Sequence, residues 1–225
     1  MNGRIEAAGA IAGQRNRTRR PSTNAALATI AAAACMSSAF PVAAQQVTPE
    51  VAATMDEMRE AFAKYQDVNV ALAEGYIPDP TGHCATAVDF GLPLETGAMG
   101  VHYLHPELLQ LTEGDRVTGL ATNTDPLTPA VLLYEPQADG TMEFLGVELL
   151  VFRDPWRAEG NQAPPVFAGI VPWDAMADDP ATADIDEAHG FVPHYDIHVW
   201  LFRDNPAGPL EMWNPTVTCE HHQMP

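Results

Sequence analysis

The sequence predicts an α+β fold: an N-terminal helix, or helical hairpin, packed on a mostly antiparallel sheet that is open or closed into a small β-barrel. Three observations predict it. Val51, Met55, Met58, Phe62 and Tyr65 recur at alternating steps of four and three, a single helical stripe. Short apolar runs divided by turn residues follow Pro78. Two of these runs flank Asp139-Gly140, a strong hairpin signal.

The elements follow in order. Thr48-Pro49-Glu50 starts the helix with a hydroxyl cap, a proline at the first helical position and an acid in the first turn. The stripe continues through Val68 and Leu72 to Gly75, a glycine suited to a left-handed stop, unless Asp67 begins a second short helix. Met55 and Met58 belong to the core. Met99–Leu104 reads as a strand, closed by His105-Pro106 and one helical turn over Glu107–Gln110. Ala130–Glu135 and Met142–Phe152 form the hairpin, and His194–Phe202 is a fourth strand. Residues 153–193 form a long covering loop, with Trp156, Phe167, Trp173 and Phe191 packing over the sheet. Its acids, from Asp174 to Glu187, do not match a calcium loop and read as a solvated face.

Ahead of these elements, residues 1–44 show an Arg-rich start, an apolar run (residues 25–34) and small residues ending at Ala44. This is the pattern of a secretory signal peptide, with residues 45–225 as one globular domain. A lipoprotein anchored through Cys35 is the lesser alternative. The apolar run is too short to span a membrane, so the mature form is expected not to be transmembrane. Beyond the leader, Cys84 and Cys219 form an even pair in an exported chain, which reads as one disulfide.

The 225-residue chain carries 11 basic and 30 acidic residues, a net charge of -19. Five of the basic residues and one acid lie before residue 45, so the domain itself is the more acidic part. Such a surface repels phosphate backbones, which excludes nucleic acid and leaves a small molecule or metal ion as partner. Serine is absent from residues 45–225, and no nucleophile elbow, phosphate loop or dinucleotide fingerprint occurs. A glycosidase pair of Glu148 and Asp196 has nothing in the sequence to favour it.

The informative feature is the position of the titratable residues. His102, Glu148 and His198 each stand within a strand that is apolar on both sides of the pleat. A strand of that kind is buried on both faces. A lone carboxylate there costs several kcal/mol unless paired, protonated or bound to a cation. Two imidazoles and a carboxylate match a facial triad for a divalent transition metal, and manganese, iron, zinc and copper all suit it. Asp196 and His194 share the strand face of His198. Asp196 is about 6.7 Å along the strand and can flank the same ion, whereas His194 is about 13 Å away and belongs to an outer shell or the mouth. His105 is placed at the rim, and Tyr103, Tyr134, Tyr195 and Trp200 along the pocket. The competing reading is a non-catalytic binding or interaction module in which the His/Glu cluster is a satisfied polar core.

Several segments recur together elsewhere: Gly97–Tyr103 (GAMGVHY), Leu132–Pro136 (LLYEP), Gly146–Glu148 (GVE), His194–Trp200 (HYDIHVW), Asn205–Gly208 (NPAG) and Trp213–Pro215 (WNP) before Cys219. In these segments, from about Tyr65 onward, the chain resembles a family of uncharacterised exported bacterial proteins. The resemblance implies a periplasmic or secreted one-domain protein and carries no activity with it.

Overall fold

Helix α1 (Pro49–Phe62) starts where the cap pattern places it, with the Thr48 hydroxyl accepting from the Val51 amide at 3.4 Å. It buries Val51, Met55, Met58 and Phe62. A 3-10 turn over Ala63–Gln66 breaks the stripe, and α2 (Val68–Ala73) restarts it from an Asp67 cap. The helical segment is therefore a helix and a short second helix, and Gly75 follows with φ +102°. This computed structural model describes residues 47–223, so the expected leader, its cut after Ala44 and Cys35 lie outside the described residues.

The strands in chain order are β1 (Ile77–Pro78), β2 (Cys84–Thr86), β3 (Ala98–Leu104), β4 (Leu111–Thr112), β5 (Thr118–Gly119), β6 (Val131–Pro136), β7 (Met142–Phe152), β8 (Val166–Phe167), β9 (Val171–Pro172), β10 (Asp174–Met176) and β11 (His194–Trp200). The helical turn α3 (Pro106–Leu109) follows β3, and α4 (Arg153–Ala158) follows β7. The main sheet is antiparallel, in the order β1-β3-β6-β7-β11-β10, with β2 also on the outer side of β3. It is open, which corrects the barrel alternative. Its outer positions are held by strands of two or three residues, too short to meet and close a ring.

The two faces of the sheet have different covers. Val101, Tyr103, Leu132, Tyr134, Val147, Leu149, Val151, Tyr195, Ile197 and Val199 pack under α1 and Tyr65. On the opposite face, Leu104, Val131, Leu133, Leu150, Phe152 and Trp200 pack with Leu109, Ala121, Phe191 and Val217, all from connecting segments. Residues 153–193 are more structured than a loop. They contain α4 and the β8–β9 hairpin, and β10 extends the sheet beside β11. The Cys84–Cys219 disulfide joins β2 to the C-terminal segment across 135 residues, with Cα atoms 5.9 Å apart. Closing so long a loop is worth about 4–5 kcal/mol in the chain-entropy model. Among the described residues no helix is long and apolar enough to cross a membrane.

Candidate metal centre

Register brings the strand residues together. On β11, His194, Asp196 and His198 alternate onto the face away from α1, with Tyr195, Ile197 and Val199 on the other. Glu148 pairs directly with His198 across β7 and β11. The neighbouring backbone is tight: a Cβ on Gly146 would stand 2.1 Å from the Val199 carbonyl oxygen, so only glycine lets β11 lie this close. His102 enters from β3, reaching over β6, and its Nε2 approaches Glu148 Oε2 to 3.1 Å without hydrogen-bond alignment. The His102 and His198 rings meet edge to face at 6.0 Å.

His189 comes from the covering segment. The sequence pattern does not single it out, because an isolated histidine in a polar connection has no period to violate. Two signals were present: the following Gly190 and the length of the segment between two histidine- and glutamate-bearing strands. Its position is built by two of the acids read as a solvated face, which are exposed and also brace this segment. Asp178 and Asp186 both pair with Arg116. The same two side chains accept from the amides of Ala188 at 3.1 Å and Gly190 at 2.9 Å. Val117, next to Arg116, is bonded in both directions to this segment, through Gly190 and Val192. The bracing holds His189 at φ +39°, a left-handed conformation uncommon for a non-glycine residue. Its ring lies 5.6 Å from that of His102 and 5.3 Å from that of His194.

Two donor sets result. His102, Glu148 and His198 offer atoms within 4.8 Å of one another, and so do Glu148, His189, His194 and Asp196. All six side chains are buried. Two donors on one ion at about 2.1 Å stand no more than about 4.2 Å apart, so small rotamer adjustments would close either set. Among the described residues, the buried side-chain atoms without a hydrogen-bond partner include His102 Nε2, both Glu148 oxygens, both His189 nitrogens, His194 Nε2, both Asp196 oxygens and His198 Nε2. A satisfied polar core does not look like this, since buried polar atoms ordinarily find partners.

Glu135 gives the contrast within the same sheet. It is also a buried strand carboxylate, but it meets Arg203 at 2.7 Å and the Thr218 amide at 2.6 Å. No Lys or Arg pairs with Glu148 or Asp196 among the described residues.

The charges are polarised accordingly. Burial penalises ionised Glu148, but His102 beside it and the other imidazoles outweigh that and hold its pKa below the usual carboxylate range. Burial opposes a charge on His102 and His194, yet Glu148 and Asp196 respectively raise their pKa values. Burial keeps His198 and His189 below the ordinary histidine range, aided at His189 by His194. Burial therefore favours the neutral form of those two rings, the form that can ligate. The His194 Nδ1–H donates to the Val192 carbonyl at 2.9 Å, which turns Nε2 toward Asp196 Oδ2 at 3.6 Å. A ligating histidine is commonly oriented this way.

Other expected pocket residues are placed elsewhere. Tyr103, Tyr134 and Tyr195 face α1, a correction that the two-residue period of a strand explains. His105 caps α3 and donates to the Glu74 carbonyl at 3.0 Å, away from the cluster. Trp200 is on the cluster's face and stacks on His198 at 6.2 Å, with its indole donating to the Glu211 carbonyl.

A surface cavity of about 290 Å³, lined by Thr81, His83, Asp89, Phe90, Asp186, His189 and Gly190, abuts the cluster. His189 is the member common to both. Comparison with protein-family models, curated proteins and solved structures finds no match.

Proposed function

We propose that this is an exported, periplasmic or secreted protein whose His102, Glu148 and His198 hold a divalent transition-metal ion. The carrying observation is a buried Glu148 with no Lys or Arg partner and no aligned hydrogen bond, its Oε2 3.1 Å from His102 Nε2, with His102 Nε2 and His198 Nε2 likewise lacking aligned partners. A cation satisfies all of these atoms at once. Two histidines and a carboxylate leave coordination positions for water or a small ligand, the equipment of a metal-dependent enzyme. The disulfide accords with an oxidising compartment.

Metal analysis of protein purified without chelator tests the reading. It should carry at least one transition-metal ion per chain, and His102→Ala and His198→Ala should each carry one fewer. Metal-free wild-type protein that takes up no added manganese, zinc, iron or copper would overturn it. For export, protein recovered from the periplasm or medium should begin at Gln45 by mass spectrometry.

A further inference from the structure

The ion held by His102, Glu148 and His198 leaves five of the orphaned atoms unexplained. These are both nitrogens of His189, Nε2 of His194 and both oxygens of Asp196. They are not scattered. With Glu148 they form the second donor set, whose ligating atoms lie within 4.8 Å of one another. The Asp196 carboxylate is buried, and its nearest basic group is a ring whose Nδ1 hydrogen is already committed to Val192. The 3.6 Å gap between His194 Nε2 and Asp196 Oδ2 is too long for a direct hydrogen bond, so neither side chain satisfies the other.

We propose that Glu148, His189, His194 and Asp196 hold a second divalent metal ion, so that Glu148 bridges two ions in one dinuclear centre. The proposal rests on the metal reading of His102 and His198 for its first ion, but on a separate set of residues for its second. The donors assemble as two sets with Glu148 in common, rather than as one set of six around a point. Glu148 has the two free oxygens a bridging carboxylate needs. Two divalent ions exceed the two carboxylates by about two positive charges, which a dry interior does not tolerate uncompensated. The remaining ligand is therefore an oxygen anion, hydroxide or a small oxyanion. The cavity beside His189 provides its approach on the second ion's side. His189 is the one ligand supplied by the covering segment, so the second ion also fastens that segment to the sheet.

Chelator-stripped full-length protein titrated with cobalt(II), followed by visible absorption and by metal analysis after desalting, tests this. Wild type should take up two equivalents, and His198→Ala and His194→Ala one each. His189→Gln, which leaves every strand intact, should also bind one, and it decides the matter if His194→Ala fails to fold. Manganese(II)-loaded wild type should give a spin-coupled electron paramagnetic resonance signal that each single variant converts to an isolated-ion signal. One equivalent in wild type, lost in His198→Ala but retained in His189→Gln, would overturn the second ion and leave the first reading standing. One equivalent lost in both would show a single shared ion and overturn the bridge. One equivalent lost only in His189→Gln and His194→Ala would overturn the first site and the bridge. No uptake would overturn both readings.

Discussion

The two faces of the sheet are built from the same strands, yet they are closed in different ways. Under α1 three buried tyrosine hydroxyls are satisfied by the chain itself, and among the described residues the Trp173 indole nitrogen is the unpartnered side-chain atom of that cluster. The Tyr134 hydroxyl donates to the Tyr65 carbonyl at 2.8 Å, that of Tyr76 to the Pro129 carbonyl at 2.6 Å, and that of Tyr65 to Glu74 at 2.7 Å. Under the connecting segments, six buried side chains gather with most of their donor and acceptor atoms unmet. One face is closed almost wholly by the chain's own bonds, and the other keeps a cluster of unmet polar atoms. The difference lies in the covers. A helix brings an apolar stripe and keeps its own backbone satisfied, whereas a braced connection can aim a single polar side chain such as His189 inward.

That contrast can be broken or sharpened in four ways. The largest effect is expected on the helix face. Met58 is fully buried, and Met58→Ala should cost about 2–5 kcal/mol through the lost contacts and the cavity left behind. Urea unfolding should show this with metal content unchanged; altered metal content would mean that the two faces are coupled.

Metal removal acts on the other face. Free ion at 100 times its dissociation constant should stabilise the fold by about 2.7 kcal/mol, an upward shift in Tm that a chelator abolishes. Equal melting temperatures with and without chelator would mean that this face is as self-sufficient as the first.

Alkaline pH should attack the tyrosine side. Burial pushes the Tyr76 phenol up to about 12 and raises Tyr65 and Tyr134 as well. A phenol in the unfolded chain ionises near 10, so the neutral form is favoured by folding. This stabilisation is complete below about pH 10 and is lost as pH rises toward 12, by roughly 2 kcal/mol for Tyr76. Absorbance near 295 nm should show these phenols ionising together with unfolding, not as free groups near pH 10.

The smallest effect belongs to the helix cap. Thr48→Ala removes the bond from the Val51 amide and should cost about 1 kcal/mol, read as a lower urea midpoint with an unchanged slope.

Much of this architecture was legible in the sequence where local pattern and tertiary environment agree. Thr48-Pro49-Glu50 caps α1, and the apolar run over residues 142–152 is β7 from end to end. Asp139-Gly140 makes the turn before it, with Asp139 accepting from the Thr141 amide. His102, Glu148 and His198 stood out because a polar residue inside a run apolar on both faces conflicts with its neighbours, and such conflicts gather at sites. The same period argued against Tyr103 and Tyr195, which sit next to site residues and therefore point away from them.

The sequence by itself determined that His102, Glu148 and His198 are buried against their chemical preference, because burial in a strand follows from its immediate neighbours. Tertiary structure alone decided what those side chains meet. The pairing of Glu148 with His198 depends on strand register and on the close approach allowed at Gly146. The arrival of His189 depends on Arg116, Asp178 and Asp186, whose partners lie 62 and 70 residues apart. Long-range pairing of that kind leaves no period in the chain, so the second donor set emerges only when the sheet and its cover close on one another.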